Sequence, residues 1–365
     1  MRIGIDAHFV GVRHGGNEVH FENLVRELAR TSPGDEYFIF TYRFAARSRL
    51  NGERVTFVPL TRRSVAWQRA VQIPRWTSRL DLDLLHVPFN YLPVHRCKKV
   101  VTIHDLGFLR FPETYAAADR IRMRWLTRFA ARHADHVFTV SHAAKAEIVD
   151  EYHVDGGRVT VTPNAVDRAV FRPLTAEEIA SFRARRGLSF PYILFVGTIQ
   201  PRKNVITLLR AFRRLERRRR DHRLVLVGRR GWGADVVFQF INEHGLGDVV
   251  RHVGDVDTLE LAGFYNAATV LAYPSLYEGF GLPVLEAMSC GCPVVSASSS
   301  SLPEIYGDAA LAFDPRDADA LTQGLSDVLD HTDLQAELKR RGFANCSRYS
   351  WARTADIALR AYHTL

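Results

Sequence analysis

The chain has 365 residues and a formal net charge of +9, with 47% hydrophobic and 24% charged residues. This composition is ordinary for a folded globular protein and excludes a disordered, collagen-like or coiled-coil chain. The length predicts two domains, and the absence of long apolar stretches leads us to expect neither a signal peptide nor a membrane-spanning segment.

Residues 1–170 alternate short apolar runs with stretches of helical periodicity. We predict strands over 2–6, 37–42, 55–60, 82–87, 100–104, 136–140 and 159–162. The first helix follows a glycine loop, and its apolar residues recur at helical spacing, at Phe21, Leu24, Val25 and Leu28. Two further helices are predicted over 120–133 and 143–150.

The helix predicted over 120–133 is strongly basic. Its apolar residues are expected on one side, and they are Ile121, Trp125, Leu126 and Phe129. Arginines four residues apart line one face, at positions 120, 124, 128 and 132. A solvated surface is one interpretation of this helix, and contact with an anionic lipid surface is the other.

A linker without strong periodicity, over 167–173, precedes a second alternation of strands and helices. We predict strands over 192–197, 223–228, 249–253, 270–273 and 293–297, with helices over 205–216, 236–243, 258–267 and 282–289. A last helix over 351–362 has no strand after it.

Two such alternations are typical of two doubly wound parallel sheets. We therefore predict an α/β protein with a Rossmann-like domain over 1–170 and a second one over 171–348, facing each other across a cleft. The C-terminal helix, within 349–365, is expected to pack back on the first domain.

The segment 273–287 carries the strongest chemical signal. It follows a strand and runs into a helix, where Gly279 and Gly281 allow a ligand to approach the backbone. The N-terminus of that helix would present a partial positive charge and free N–H groups to a diphosphate. Glu278 lies in the loop and Glu286 one turn inside the helix, so two carboxylates are available for sugar and ribose hydroxyls.

Three more segments place polar groups directly after strands, where open α/β sheets bind ligands. In the segment 195–204, Lys203 would bind a diphosphate, helped by Arg202. In the segment 11–20, the glycine backbone near Gly16 would close over phosphates from the first domain. The segment 101–106 places His104 and Asp105 just after a strand end.

These motifs resemble glycosyltransferase family 4, a family of retaining enzymes with the GT-B fold. The resemblance rests on Glu278-x7-Glu286 around Gly-Phe-Gly-Leu-Pro, and on Gly-Thr-x-x-Pro-Arg-Lys-Asn over 197–204. Val140-Ser-His, Pro163-Asn-Ala-Val-Asp and the Ser350-Trp351 helix are also similar to stretches of that family. The resemblance covers essentially the whole chain.

The resemblance implies a role for each matching residue. The catalytic set would be His104, Arg202, Lys203 and Glu278, with Asp105 on the acceptor side. The donor would be bound by Gly15, Gly16, Thr198, Val256, Glu278, Gly279, Phe280, Gly281, Leu282 and Glu286. His104 would lie by the C6 hydroxyl and the reacting centre, and the leaving phosphate would help to deprotonate the acceptor. Thr198 stands where many members carry arginine or another polar group, which leaves open how far Arg202 compensates.

Other signals favour structural interpretations. Asp81-x-Asp83 and Asp255-x-Asp257 imitate a metal-binding motif, but we expect no catalytic metal and no cofactor. The arginine run over 213–223 has no interleaved aromatics, so we expect a solvated helix end and no nucleic-acid partner. The cysteines are sparse, and Cys290 and Cys292 have no second pair at metal-ligand spacing, which favours a reduced, cytoplasmic location.

Positive charge is concentrated in the first half. Residues 1–170 carry 25 Lys and Arg against 18 Asp and Glu, whereas residues 171–365 carry 24 against 22. This asymmetry favours an acidic partner there, such as an anionic membrane surface at the inner face of the membrane or a phosphate-bearing acceptor.

The resemblance implies a retaining hexosyltransferase that uses a GDP- or UDP-sugar and a glycan or polyprenyl-linked acceptor, and GDP-mannose is the first donor expected, because family members with Thr-Ile-His-Asp-Leu and Gly-Thr-x-x-Pro-Arg-Lys-Asn often resemble mannosyltransferases. A UDP-sugar enzyme, a sugar-nucleotide epimerase of the same fold and a non-catalytic binding subunit remain as alternatives. The epimerase would need no acceptor, and the binding subunit would be expected to lack Glu278, Lys203 or His104, all of which are present.

Overall fold

A computed structural model of the chain describes residues 1–8, 10–11, 16–32, 34–41, 50, 54–61, 64, 67–89, 97–216 and 221–365. The chain separates into two compact units. Unit 1 contains Met1–Asn164 and Ser350–Leu365, and unit 2 contains Ala165–Tyr349. The sequence places the boundaries after residues 170 and 348, so the chain leaves unit 1 earlier than expected.

Unit 1 is built on a parallel sheet of seven strands. They are β1 (Arg2–Asp6), β2 (Glu36–Thr41), β3 (Val55–Pro59), β4 (Leu84–Pro88), β5 (Lys98–Thr102), β6 (His136–Thr139) and β7 (Val159–Val161). The spatial order is β3-β2-β1-β4-β5-β6-β7. The order reverses between β1 and β4, and the carboxyl ends of strands at such a switch point are where doubly wound sheets bind ligands.

Helices cover both faces of this sheet. They are α1 (Gly16–Thr31), α2 (Ile73–Arg79), α3 (Gly107–Arg110), α4 (Ala117–His133) and α5 (His142–Tyr152), with a π-helical turn at Gln68–Gln72 and 3-10 turns at Pro112–Thr114 and Gly156–Arg158. One core packs around α1 and the other around Ala130 and Ala131 of α4. A parallel sheet buried on both faces explains why its strands are almost continuously apolar.

Unit 2 contains a second parallel sheet. Its strands are β8 (Tyr192–Val196), β9 (Arg223–Val227), β10 (Val250–Gly254), β11 (Val270–Tyr273), β12 (Val294–Ala297) and β13 (Leu311–Phe313), in the order β10-β9-β8-β11-β12-β13. Its helices are α6 (Ala176–Arg186), α7 (Val205–Glu216), α8 (Asp235–Glu243), α9 (Thr258–Ala267), α10 (Leu282–Ser289), α11 (Leu302–Tyr306), α12 (Ala318–Asp330) and α13 (Thr332–Cys346), with a 3-10 turn at Pro201–Lys203. The switch point lies between β8 and β11.

The last helix, α14 (Trp351–His363), belongs to unit 1 and packs on α1. Ser350 caps it by accepting from the backbone N–H of Arg353. The Thr354 hydroxyl donates to the carbonyl of Pro163 at 2.6 Å, and the Tyr362 hydroxyl lies 2.6 Å from His86 Nδ1 inside the core. The end of the chain therefore completes the core of the first sheet.

The apolar residues of α4 do not all face the core. Ile121 and Trp125, which the sequence places among the apolar residues on one side of the helix, are 56% and 68% exposed. The buried residues of α4 are Thr127, Ala130 and Ala131. Apolar periodicity cannot distinguish a core-facing stripe from a solvent-facing one when small residues supply the packing surface.

The loops after β8 and β9 touch at two glycines. Gly228 has φ +134°, a conformation that side chains rarely adopt, and a Cβ there would lie 2.2 Å from the carbonyl oxygen of Gly197. Gly197 in turn donates its N–H to Val227 at 2.9 Å. The backbone leading to Lys203 can follow its path only because residue 228 lacks a side chain.

We therefore expect Gly228→Ala to destabilise unit 2 by about 3 kcal/mol, since backbone strain and a backbone clash act together. Gly247→Ala is the matched control, because a Cβ at Gly247 has nothing within 4 Å. That variant should stay within about 0.5 kcal/mol of the wild type. Urea unfolding followed by circular dichroism measures both, and equal stabilities for the two variants would contradict the packing described.

Candidate active site

The loop after β11 leads directly into the N-terminus of α10. Gly281 is the N-cap, with φ +113°, and a proline lies in the first helical turn, as the sequence predicts. Gly279 and Phe280 are buried in the loop, and Leu282 is half-buried. A glycine cap with this backbone conformation leaves the helix N-terminus without a capping side chain, so its N–H groups can serve an anion.

Three predicted site residues meet at this loop. Lys203 Nζ lies 2.5 Å from Glu278 Oε1, and Arg202 Nη1 lies 3.2 Å from Glu278 Oε2. Arg202 also donates to the carbonyl of Tyr277 at 2.8 Å. The 3-10 turn after β8 and the loop after β11 are therefore joined through charged side chains.

Asn204 joins the same turn and loop through hydrogen bonds from its side-chain amide to backbone carbonyls. It adopts a left-handed conformation, with φ +56°, at the end of the 3-10 turn. Its amide nitrogen donates to the carbonyls of Pro274 and Pro315, at 3.1 and 2.7 Å. The Asn after Pro-Arg-Lys thus holds the lysine-bearing turn against the glutamate-bearing loop.

Glu278 is ionised at neutral pH although it is buried. Burial by itself would raise the pKa of Glu278, but the charges of Lys203 and Arg202 and the Lys203 hydrogen bond outweigh it and lower the pKa to about 2. Lys203 is 8% exposed, so the pair is largely removed from water. Each charge in this pair therefore depends on the other.

Glu286 has the opposite environment. It is half-buried in α10, and the hydroxyl of Tyr265 donates to its Oε2 at 2.8 Å. Burial raises the pKa of Glu286 to about 7, and the hydrogen bond from Tyr265 only partly opposes this. The two carboxylates of the motif therefore differ in charge state near neutral pH.

A run of serines holds the backbone of the Glu278 loop. Ser300 Oγ accepts from the N–H of Glu278 at 2.8 Å. Ser301 Oγ lies within hydrogen-bond distance of the carbonyls of Glu278 and Phe280, at 2.9 and 2.8 Å. Ser299 donates to the carbonyl of Ser275 at 2.6 Å. Three serines just before α11 therefore hold the backbone of the Glu278 loop in place.

The remaining donor-side candidates lie at neighbouring strand ends. Thr198 is half-buried just after β8, and a Cβ on Gly231 would lie 2.6 Å from its Cγ2. Val256 is half-buried after β10, and the next residue, Asp257, caps α9 by accepting from Glu260 N–H at 2.8 Å.

His104, Asp105 and Gly16 belong to unit 1. His104 is 6% exposed, and its ring lies edge-on to that of His20, with centroids 4.9 Å apart. Asp105 accepts from Gly107 N–H at 2.8 Å and so shapes the turn after β5. Gly16 is exposed at the first position of α1, whereas Gly15 lies outside the described residues.

Three buried histidines of unit 1, His20, His86 and His104, are neutral at neutral pH. Burial lowers the pKa of His104 well below its ordinary value, and His20 and His86 act in the same direction. Burial likewise lowers the pKa of His20 to about 4 and that of His86 to about 3. Within the described residues, buried His104 Nε2 has no hydrogen-bond partner. His104 is therefore suited to exchanging a hydrogen bond with a ligand rather than to carrying a charge.

Sequence reasoning missed several neighbours of the predicted residues. Tyr273 donates to Glu278 Oε1 at 2.8 Å and is the first residue of the segment 273–287, so its position was a usable signal. The run of four serines over 298–301 was a second usable signal in the sequence. Tyr265 and His20 lie inside helices without any distinguishing pattern, and only the fold brings them to Glu286 and His104.

The remaining sequence signals concern the two Asp-x-Asp motifs, the cysteines, the arginine run and membrane-spanning segments. Asp83 accepts from Arg2 N–H at 2.7 Å, and Asp257 caps a helix, so both have structural roles. The four cysteines are free thiols. The centre of the arginine run, residues 217–220, lies outside the described residues. In the described part of the chain, no helix combines the length and apolar character needed to cross a membrane.

Solved structures share this fold over the whole chain. HepE (Alr3699) of Anabaena, in complex with UDP-glucose, matches with a TM-score of 0.81 at 17% identity, covering 100% of both chains. Sucrose-phosphate synthase (tll1590) of Thermosynechococcus elongatus matches with a TM-score of 0.78 at 22% identity, covering 100% of this chain and 98% of that one. Two parallel-sheet units with this likeness define a GT-B fold.

Sequence comparison then defines the family. Residues 14–170 match the model of Glycosyltransferase Family 4, and residues 177–344 match that of Glycosyl transferases group 1. The chain is 35% identical over 294 residues to O-antigen chain mannosyltransferase B of Escherichia coli, covering 80% of this chain and 77% of that relative. The chain belongs to glycosyltransferase family 4 and is a glycosyltransferase, as the motifs predict.

Lys203→Met should destabilise the protein by about 3 kcal/mol at pH 7, because it removes the nearest cation from a buried carboxylate. The folded-state pKa of Glu278, about 2, lies below its ordinary 4.5, so its ionised form stabilises the fold above about pH 4.5 and this contribution is lost as the pH falls toward 2. The difference in unfolding free energy between the variant and the wild type should therefore be smaller at about pH 3 than at pH 7.

Denaturant unfolding at both pH values measures this difference. Lys339→Met is the control, since Lys339 is an exposed lysine of α13. A Lys203 variant that is as stable as the Lys339 variant at pH 7 would show that the buried pair contributes nothing.

Proposed function

We propose that the protein is a retaining mannosyltransferase that moves mannose from GDP-mannose to a glycan or polyprenyl-linked acceptor in surface polysaccharide synthesis. The observation that carries the proposal is the convergence of Arg202, Lys203 and Glu278 at the N-terminus of α10. A relative that is 35% identical is a mannosyltransferase of O-antigen chains, which supports the choice of sugar and pathway class.

The leaving diphosphate is the main electrostatic problem of the reaction. Negative charge develops on it as the glycosidic bond breaks, and preorganised donors stabilise that charge most effectively where water is excluded. Lys203, Arg202 and the first N–H groups of α10 supply such donors from unit 2. In this proposal the diphosphate takes over part of the hydrogen bonding that Lys203 gives to Glu278 without donor.

The two carboxylates would divide the rest of the donor between them. Glu278, freed in part from Lys203, would accept from hydroxyls of the sugar, and Glu286 would accept from the ribose diol. Thr198 and the loop at Val256 would line the nucleotide, with Gly279, Phe280, Gly281 and Leu282 shaping the phosphate end. No metal or cofactor is needed in this scheme, because cationic side chains and amides stabilise the departing charge.

Unit 1 would contribute Gly15, Gly16, His104 and Asp105. The neutral ring of His104, with its unpartnered buried nitrogen among the described residues, fits a hydrogen bond to a sugar hydroxyl near the reacting carbon. A neutral histidine with so low a pKa is a poor general base at neutral pH. The leaving phosphate oxygen would therefore accept the proton of the acceptor hydroxyl.

A donor panel tests the reaction. Purified protein is incubated with GDP-mannose and with UDP-glucose, UDP-galactose or UDP-GlcNAc, and release of GDP or UDP is measured with and without EDTA. We expect release from GDP-mannose that survives EDTA. Release from a UDP-sugar alone would overturn the donor assignment, and donor conversion without an acceptor would favour an epimerase.

Glu278→Ala and Lys203→Ala should each reduce donor-dependent release by about 10²-fold or more, because each removes a group placed against the developing charge or the sugar. The controls are Glu243→Ala and Lys339→Ala, which replace exposed residues of α8 and α13. Retention of activity in the Glu278 variant, with normal folding by circular dichroism, would remove the basis of the proposal.

We also propose that the protein works at the inner face of a membrane and rests on anionic lipid through α4. Ile121 and Trp125 lie one helical turn apart and are exposed by 56% and 68%. Arg120, Arg124 and Arg128 are exposed on the same helix. An exposed apolar centre flanked by arginines is the surface that binds at the interface of an anionic bilayer.

Trp125→Ser should lower binding to vesicles of phosphatidylglycerol and phosphatidylcholine by roughly tenfold, since burying a large apolar side chain contributes about 1.5–3 kcal/mol. The matched control is Trp232→Ser, because Trp232 of unit 2 is 54% exposed but lies on no basic helix. Co-sedimentation at low and high salt measures both, and high salt should weaken binding of the wild type. Equal loss in the two variants would exclude α4 as the contact surface.

A further inference from the structure

Two fully buried tyrosines each hold one carboxylate of the Glu278-x7-Glu286 motif. Tyr273, the last residue of β11, donates its hydroxyl to Glu278 Oε1 at 2.8 Å. Tyr265, in α9, donates its hydroxyl to Glu286 Oε2 at 2.8 Å. Both tyrosines are 0% exposed. The direction of the bond to Glu278 is fixed, because an ionised carboxylate can only accept, and the ionised form of Glu286 likewise accepts from Tyr265.

The two tyrosines differ in what else they contact. Lys203 Nζ donates to the Tyr273 hydroxyl at 2.9 Å, so this hydroxyl links the cation to the carboxylate. Tyr265 packs edge-on against Phe171, with ring centroids 6.0 Å apart, and its hydroxyl meets Glu286. One tyrosine thus belongs to a charged network, while the other is the hydrogen-bond donor to a carboxylate without a cation.

We propose that Tyr265 and Tyr273 are positioning residues for the donor, with Tyr265 orienting Glu286 toward the ribose and Tyr273 orienting Glu278 toward the sugar. The inference rests on the proposed function, since it assigns how the two carboxylates are presented to the nucleotide sugar. Neither tyrosine needs to touch the donor, because each acts through its carboxylate.

Among the described residues, no charged side chain shifts the pKa of Glu286, and Arg168 acts only on the thiol of Cys346 farther away. The titratable groups near it are Tyr265 of α9, Tyr273 of β11 beyond it, Cys290 at the end of α10, and Cys346 of α13 next to Cys290. Burial keeps the pKa of each of these groups above its ordinary value. Lys339 of α13 acts instead on the thiol of Cys292.

The consequence is a different pH response for each carboxylate. Glu286 ionises as the pH rises through about 7, and only its ionised form accepts from both ribose hydroxyls, so the donor KM should fall across this range. Removing the Tyr265 hydroxyl should shift this fall to higher pH, because the hydrogen bond favours the charged form. Glu278 stays ionised without Tyr273, since Lys203 and Arg202 remain beside it.

The test compares three Tyr→Phe variants. Tyr192→Phe is the matched control, because Tyr192 is equally buried in unit 2 but donates to the carbonyl of Phe264 at 2.8 Å. Donor KM and kcat are measured from pH 5.5 to 8.5. We expect Tyr265→Phe to move the midpoint of the KM profile upward by about one pH unit with little change in kcat at high pH.

Tyr273→Phe should leave that midpoint where it is in the wild type and lower kcat by roughly tenfold, since one hydrogen bond to a charged group is lost from the carboxylate that would hold the sugar. Tyr192→Phe should change neither the midpoint nor kcat by more than about twofold. A Tyr265 profile that overlays that of Tyr192→Phe overturns the role of Tyr265, and an unchanged kcat in Tyr273→Phe overturns that of Tyr273.

A second readout does not depend on catalysis. In protein labelled with ¹³C at the glutamate carboxyl, the signal absent from Glu286→Gln is titrated by NMR, and its midpoint should be near 7 in the wild type and higher in Tyr265→Phe. An unchanged midpoint overturns the Tyr265 assignment even if sugar transfer is found. A shifted midpoint in a protein that cleaves no nucleotide sugar supports the contact and overturns the proposed function alone.

Discussion

A buried carboxylate needs its cations, and this constraint organises the second unit. Glu278 lies in a water-poor loop and stays ionised because Lys203 and Arg202 are beside it. To bring them together, the turn after β8 and the loop after β11 must meet at the switch point of the sheet. The glycine contact at Gly228 and the serine run that holds the Glu278 loop both serve this approach. Because both cations are already close to Glu278, the diphosphate of the proposed donor would find them in place.

The remaining polar groups follow a common rule, which is that the protein controls charge by burial. Glu286 has a hydroxyl partner and, among the described residues, no cation that lowers its pKa, so this pKa lies near neutrality while that of Glu278 lies far below. In unit 1, burial keeps His20, His86 and His104 neutral. In the proposed reaction the donor would bring the negative charge of its diphosphate, and Lys203 and Arg202 would be the charged groups that stabilise it.

Local sequence signals predicted much of this molecule. The helices α7, α9 and α10 and the strand β11 begin and end at the predicted residues, because their periodicity is interrupted by glycine, proline or polar turns. The helix α6 was missed although its capping box, Thr175 with Glu178, is visible in the sequence. The three-residue strand β13 is too short to show a period. For α4 the helix was predicted, but the sequence did not specify its buried side, which Ala130 and Ala131 form rather than Ile121 and Trp125.

The sequence by itself determined the family, the two repeated α/β units and the motif residues that follow their strands, since these depend on residue types at fixed local spacing. Only the tertiary structure decided that Lys203 is paired with Glu278, that Tyr265 and Tyr273 hold the two carboxylates, and that Trp125 faces solvent. Those contacts join residues that are distant in the chain, and no local pattern specifies which side chains a folded sheet will bring together. Burial, which sets the charge of each site residue, is likewise a property of the assembled core.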